Sequence, residues 1–229
     1  MHWPDRPLDL YNVKELQELV LRPFRVDHAW KTDNIAATSR LSFPVGRTIY
    51  SGELIRGGRW LIVGTDKGEI LYFDLEAPVV KPRVLIPSAY GDAEIHIYPL
   101  ISIDMDDNEP HLAFNIAVVS HGYGAETLAP FYGKRPIQVW KVKGVPDADG
   151  HIVDLQGENL ASFADEPRCL AGSLSLRGNL LAYFRQDLYI SLVIDWTDAK
   201  ECSPSNMKVI VPPEGLEVCS FRNKTTRGI

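Results

Sequence analysis

Between Ile49 and Leu75 three short apolar runs alternate with two glycine-bearing turns, and that punctuation leaves few folds open. Ile49 to Leu54 leads into Arg56-Gly57-Gly58; Trp60 to Gly64 follows; Thr65-Asp66-Lys67-Gly68 then turns the chain into Glu69 to Leu75. Runs this short, bounded by turn residues, read as strands rather than helices. Tight turns take glycine because positive φ is cheap only there, and Asp66 carries a side chain able to bond its own backbone. The expected unit is an antiparallel meander. Val84-Leu85-Ile86, beyond Pro82, would be its fourth strand, at an edge where a missing N–H is tolerated.

The same order recurs. Leu100 to Met105, the acidic turn Asp106 to Pro110, Leu112 to Val119, a long Gly-containing loop from Ser120 to Arg135, and Ile137 to Val142 make a second copy. Cys169 to Leu176, Arg177-Gly178-Asn179, Leu180 to Phe184, Arg185-Gln186-Asp187 and Leu188 to Trp196 make a third, with Met207 to Val211 outermost. Aligning Phe73, Trp140 and Ile194 as one position of the third strand gives spacings of 67 and 54 residues. Both exceed the roughly 40 to 45 residues of a compact propeller repeat, so the copies are read as decorated by loops.

Ahead of this region one helix is expected. Asn12 and Glu15 have the spacing of an N-cap and its capping-box partner, and Val13, Leu16, Leu19 and Val20 share a face. Pro23 is expected to interrupt the helix, leaving two short helical turns.

Composition narrows function. Of the 229 residues 45% are hydrophobic and 24% charged, enough for a folded core, and a net charge of −6 argues against a general nucleic-acid binder, which needs clustered Lys and Arg. Cys169, Cys202 and Cys219 are odd in number and show no zinc spacing, which suits a reducing compartment. No apolar run is long enough for a membrane span, and Asp5, Arg6 and Asp9 stand where a signal peptide would be apolar; the expectation is a cytoplasmic or nuclear protein, so the sequon Asn223-Lys224-Thr225 carries no weight.

The stretch Arg56 to Leu75, with Asp66-Lys67-Gly68 in its hairpin and Phe73-Asp74-Leu75 at its close, resembles the heart of a WD40-type repeat. Together with Asp9 to Arg22 and Trp30, it is similar to the region that follows the F-box in a large group of fungal F-box proteins. The resemblance covers Leu8 to Leu75 best and continues beyond as blade-like rhythm. It implies an all-β fold: an incomplete WD40-like β-propeller of about three to four blades over 41–229, behind a helical connector over 1–40. It further implies a non-enzymatic protein-interaction module, the substrate-recognition region of a ubiquitin-ligase adaptor whose partner is a degradation target. A Skp1-type adaptor would join only through an upstream F-box, and none precedes Trp3 in this sequence. The alternatives are a truncated gene product without independent function, and a propeller-based hydrolase.

Candidate sites are few. Asp104, Asp106 and Asn108 have the opening spacing of a calcium loop, but Glu109 and Asn115 stand where Gly and a bidentate Glu are required; Asp147 to Glu158 fails on the same grounds. No serine has a nucleophile-elbow pattern and no phosphate loop occurs, so neither catalytic residues nor cofactors are expected. The candidate protein-binding residues are His121 and Tyr123, with Phe131 and Tyr132, all assigned to the Ser120 to Arg135 loop. Trp60, Tyr72, Phe73 and Trp140 are expected to pack between neighbouring blades, and Arg56, Arg59 and Lys67 to be solubilising charges.

Overall fold

A computed structural model describes residues 8–32, 45–90, 96–123, 135–165, 171–185, 190–198 and 207–210. A 3-10 turn, Leu8–Leu10, precedes helix α1, Val13–Lys31. The capping box forms as the sequence suggests: Asn12 Oδ1 accepts the Glu15 N–H at 3.0 Å and Glu15 Oε2 accepts the Asn12 N–H at 2.9 Å. The expected break at Pro23 does not occur, and α1 runs through it for 19 residues. A helical proline removes one i→i−4 bond, but the flanking turns keep theirs. Arg25 also pairs with Glu18 across the proline, at 2.8 Å. None of the described side chains of α1 is buried, and Val13, Val20 and Phe24 are all exposed.

The rest is antiparallel β structure: twelve strands in three four-stranded meanders among the described residues. The first contains β1 (Ile49–Leu54), β2 (Trp60–Thr65), β3 (Ile70–Asp74) and β4 (Arg83–Ile86), in that order. The second contains β5 (His96–Met105), β6 (Ala113–Tyr123), β7 (Arg135–Pro146) and β8 (Ile152–Asp165). The third contains β9 (Ala171–Arg177), β10 (Leu180–Arg185), β11 (Ile190–Asp195) and β12 (Met207–Ile210). The first and third sheets match the sequence reading strand for strand. In the second, β8 was not anticipated. Its apolar residues Ile152, Leu155, Ala161 and Phe163 lose simple alternation because β7 and β8 change register at Val139/Trp140 and Val145/Pro146.

The sheets stack face to face. Trp60, Ile62, Ile70 and Tyr72 of the first meet Phe114, Ile116, Val118 and Ile152 of the second. On the opposite face of the second sheet, Ala117, Val119, Ile137 and Phe163 meet Leu181, Tyr183, Leu192 and Ile194 of the third. The middle sheet is therefore apolar on both sides. The leading strands β1, β5 and β9 lie beside one another in series, while on the outer side β4 lies against β8. Polar clasps reinforce the seams. Ser102 Oγ and Asp104 Oδ2 of β5 accept the Leu176 and Gly178 N–H groups at 3.0 and 2.6 Å. Asp154 of β8 accepts hydrogen bonds from the Tyr72 hydroxyl and from Arg83, the latter at 3.0 Å.

Registration of the three meanders corrects the repeat alignment. Phe73 pairs with Leu61, Val142 with Phe114 and Ile194 with Leu181, so Val142 rather than Trp140 is the counterpart of Phe73, and the spacings become 69 and 52 residues. The next residue along each third strand is Asp74, Lys143 and Asp195, respectively. Asp74 accepts the Glu76 N–H at 3.1 Å and a two-pronged bond from Arg59 at 2.9 and 2.7 Å. Asp195 accepts the Thr197 N–H at 3.1 Å and a bond from the Asn179 amide. In each case the residue ahead of the second strand ties down the aspartate that closes the third. The middle sheet reverses the charge: Lys143 pairs with Glu109 at 3.2 Å.

The aromatic expectations divide along the same lines. Trp60 and Tyr72 lie buried between the first two sheets and Trp140 is partly buried against them. Phe73 is fully buried on the other face of the first sheet, with Val63 and Leu71, because adjacent strand residues point to opposite faces. Arg59 is not a plain surface charge. It is largely buried, grips Asp74 and lies 4.8 Å from the centre of the Trp60 ring.

Candidate interaction surface

Phe131 and Tyr132 lie outside the described residues. His121 and Tyr123 fall in strand β6 rather than in a loop, because β6 continues past Ser120 in unbroken register with β5. That register sets His121 opposite Tyr98 and Tyr123 opposite His96. It draws the backbone of His121 and Tyr123 to the leading end of β5, where the first two sheets meet.

Three devices build a surface there. The first is a bulge in β1: Ile49 pairs with Thr65 and Ser51 with Gly64, leaving Tyr50 as the extra residue. A bulge twists its strand locally and re-aims the side chain it carries. The second is Gly64, where an added Cβ would stand 2.5 Å from Pro99 Cγ and 2.6 Å from Ser51 Oγ. The missing side chain lets β5 close onto β2. The third is the backbone of Asp66, whose N–H donates to the Thr48 carbonyl at 2.9 Å while its own carbonyl accepts the Ile97 N–H at 2.9 Å. Asp66 thus bridges the approaches to Tyr50 and Tyr98.

The outcome is a tilted tyrosine pair, with Tyr50 and Tyr98 ring centroids 4.2 Å apart and their planes at 52°. Tyr50 is 40% exposed. A hydrogen bond with the Tyr98 hydroxyl, then desolvation, then the electrostatic influence of Tyr98 and Asp66 hold the Tyr50 phenol above its ordinary value. Asp66 Oδ1 is shielded from water and has no hydrogen-bond partner, contrary to the expectation that this side chain closes its own turn; the Gly68 N–H bond to the Thr65 carbonyl, 2.9 Å, does that. Around the rim, Tyr90 donates to the Ser120 carbonyl at 3.2 Å, Arg47 is paired with Glu69, and Lys67 and His96 are exposed.

The acidic turn after β5 is a hydrogen-bonded turn, as the sequence implies. Asp106 accepts the Asn108 N–H at 3.2 Å, and Lys141 Nζ sits 2.9 Å from Asp106 and 3.0 Å from Glu109. The Lys141 ammonium holds both carboxyls below the ordinary carboxylate range, with Lys143 adding to the effect at Glu109. Arg56 reaches Asp107 at 3.3 Å across the same end. Among the described residues no group of three or more His, Cys, Asp or Glu could hold a metal ion, and no helix is long and apolar enough to cross a membrane.

The bulge and the tyrosine pair left no sequence signal. Tyr50 and Tyr98 are ordinary strand aromatics 48 residues apart, and their pairing depends on how two sheets seat against each other. Compared with protein-family models, curated proteins and solved structures, the chain matches none.

Proposed function

We propose that this chain is a protein-interaction module of propeller type, in which three blades present the seam between the first and second to a partner. The observation that carries the reading is the Tyr50–Tyr98 pair: a strand bulge aims a substantially exposed aromatic side chain at a second one on a neighbouring sheet. Tyrosine is favoured in binding hot spots because it offers a large, rigid contact with a polar tip. Three meanders in series with neighbouring leading strands are what a propeller segment would have, and the resemblance to post-F-box regions gives the partner class: a protein target of a ubiquitin ligase, in the cytoplasm or nucleus, with no cofactor and no catalytic residues.

Two experiments test this. Capture of proteins from a cell extract on the immobilised full chain should lose its specific set when Tyr50 and Tyr98 are both changed to alanine, and should be unaffected by Val153→Ser on the distant β8; an unchanged set would remove this surface from the reading. Sequencing the transcript upstream of Met1 tests the adaptor role. An in-frame F-box supports it, and a stop codon immediately upstream removes it.

A further inference from the structure

The tyrosine pair and the orphan oxygen of Asp66 form one unit, and together they specify chemistry more narrowly than an aromatic patch does. Asp66 sits between the two strands that carry the tyrosines, bonded through its N–H to Thr48, two residues before Tyr50, and through its carbonyl to Ile97, one residue before Tyr98. Its Oδ1 is out of water with no donor. A shielded carboxylate oxygen without a donor is a cost carried by the unliganded protein, and an incoming N–H relieves it. Two basic side chains of the rim do not supply that N–H: Arg47 is engaged with Glu69, and Lys67 is exposed. Aromatic faces attract cations through their ring quadrupole, and a guanidinium can stack on a ring while directing N–H groups to a carboxylate. The chain's net charge of −6 favours the approach of a positive group.

We infer that the Tyr50, Tyr98 and Asp66 surface is a docking site for a basic side chain, arginine or lysine, of a partner protein. This rests on the reading of the seam as the interaction surface and adds what that surface selects. Tyr50 stands on a bulge and is 40% exposed, so its side chain can swing to admit a planar cation between the rings and the carboxylate. Asp66 supplies the charge, and the two rings supply the contact area.

The test is a titration of the uniformly 15N-labelled full chain with three acetylated, amidated pentapeptides, Gly-Gly-X-Gly-Gly, in which X is arginine, lysine or citrulline. Citrulline keeps the shape of arginine and loses its charge. The expected result is saturable movement of the Tyr50, Asp66 and Tyr98 amide signals with arginine or lysine, at an affinity at least about tenfold above citrulline, since each factor of ten needs about 1.4 kcal/mol of charge recognition. Asp66→Asn should abolish the advantage over citrulline while leaving the melting transition in place, because no hydrogen bond to Oδ1 is lost. Tyr50→Ala should weaken binding of the charged peptides. Equal binding of citrulline and arginine, or undiminished charge preference in Asp66→Asn, would overturn the inference. If no peptide binds while the double tyrosine variant still loses its captured proteins, the interaction surface stands and the basic-side-chain assignment falls. If the peptides bind and the captured set is unchanged, the site binds cations but is not where the partner docks.

Discussion

Two strand glycines twelve residues apart in the sequence, Gly52 and Gly64, make a sharp test of how the first two sheets sit together. Gly52 of β1 has room, since an added Cβ would meet only Val63 Cγ1 at 3.6 Å and the Ile62 carbonyl at 3.7 Å. Gly64 of β2 has none, because the same methyl would stand 2.5 Å from the Pro99 ring and 2.6 Å from Ser51 Oγ. Neither has positive φ. Gly52→Ala should therefore stabilise the chain by about 0.4–1 kcal/mol through the entropy of the unfolded state. Gly64→Ala gains the same term but must push a rigid proline ring, and with it β5, away from β2; overpacking of this kind costs about 1–3 kcal/mol. The two substitutions, identical in chemistry, should have opposite signs. At roughly 2–4 °C per kcal/mol for a chain of this size, thermal melts followed by circular dichroism separate them, and urea titration gives the free energies. Pro99→Ala combined with Gly64→Ala should recover part of the loss. Equal shifts of one sign for Gly52→Ala and Gly64→Ala would refute the close seating of β5 on β2, and with it the geometry that brings Tyr98 to Tyr50.

Four further outcomes follow from the packing and charge. Phe114→Ala, at a fully buried position between the first two sheets, should cost about 3–5 kcal/mol in chemical denaturation. Burial works to raise the Asp74 carboxyl, but the bonds from Arg59 and the Glu76 amide outweigh it and hold the group below its ordinary value. A depressed carboxyl contributes stability above its unfolded value, near 3.9, that is lost as pH falls through the folded one. Asp74→Asn should thus lower stability at pH 7 by about 1–2 kcal/mol and flatten the loss below about pH 4, read from urea midpoints across pH. A double-mutant cycle of Tyr72→Phe with Asp154→Ala should show a coupling of about 1 kcal/mol across the seam, whereas strict additivity would mean the clasp contributes nothing. Pro23→Ala removes a local penalty of about 3 kcal/mol from α1 and should deepen the helical circular-dichroism signal; the β-sheet melting transition should stay put, because no described side chain of the helix is buried.

Local chemistry was the legible part. Glycine-bearing turns marked the first two hairpins of the first sheet, and the capping box at Asn12 and Glu15 placed the start of α1 to the residue. Legibility failed where a decision depended on a neighbour. The helix passes Pro23 because its other turns and the Glu18–Arg25 pair hold across the missing bond, which no single-residue penalty conveys. Strand β8 escaped notice because its register shifts break the alternation that announces a strand. His121 and Tyr123 looked like loop residues beside Gly122 and Gly124, yet pairing with β5 carries β6 through to Tyr123.

Periodicity, turn chemistry and capping over a few adjacent residues were enough for every described strand except β8, for the order of the meanders and for the first turn of the helix. Which face of each strand meets which sheet, why Val142 and not Trp140 is the counterpart of Phe73, and how Tyr50, Tyr98 and Asp66 come to share one surface all waited on the packing of the sheets. The physical reason is range. Backbone preference acts between neighbours in the chain, whereas the close approach of Pro99 to Gly64 and the bridging of Thr48 and Ile97 by Asp66 arise only when two sheets bury their apolar faces against each other.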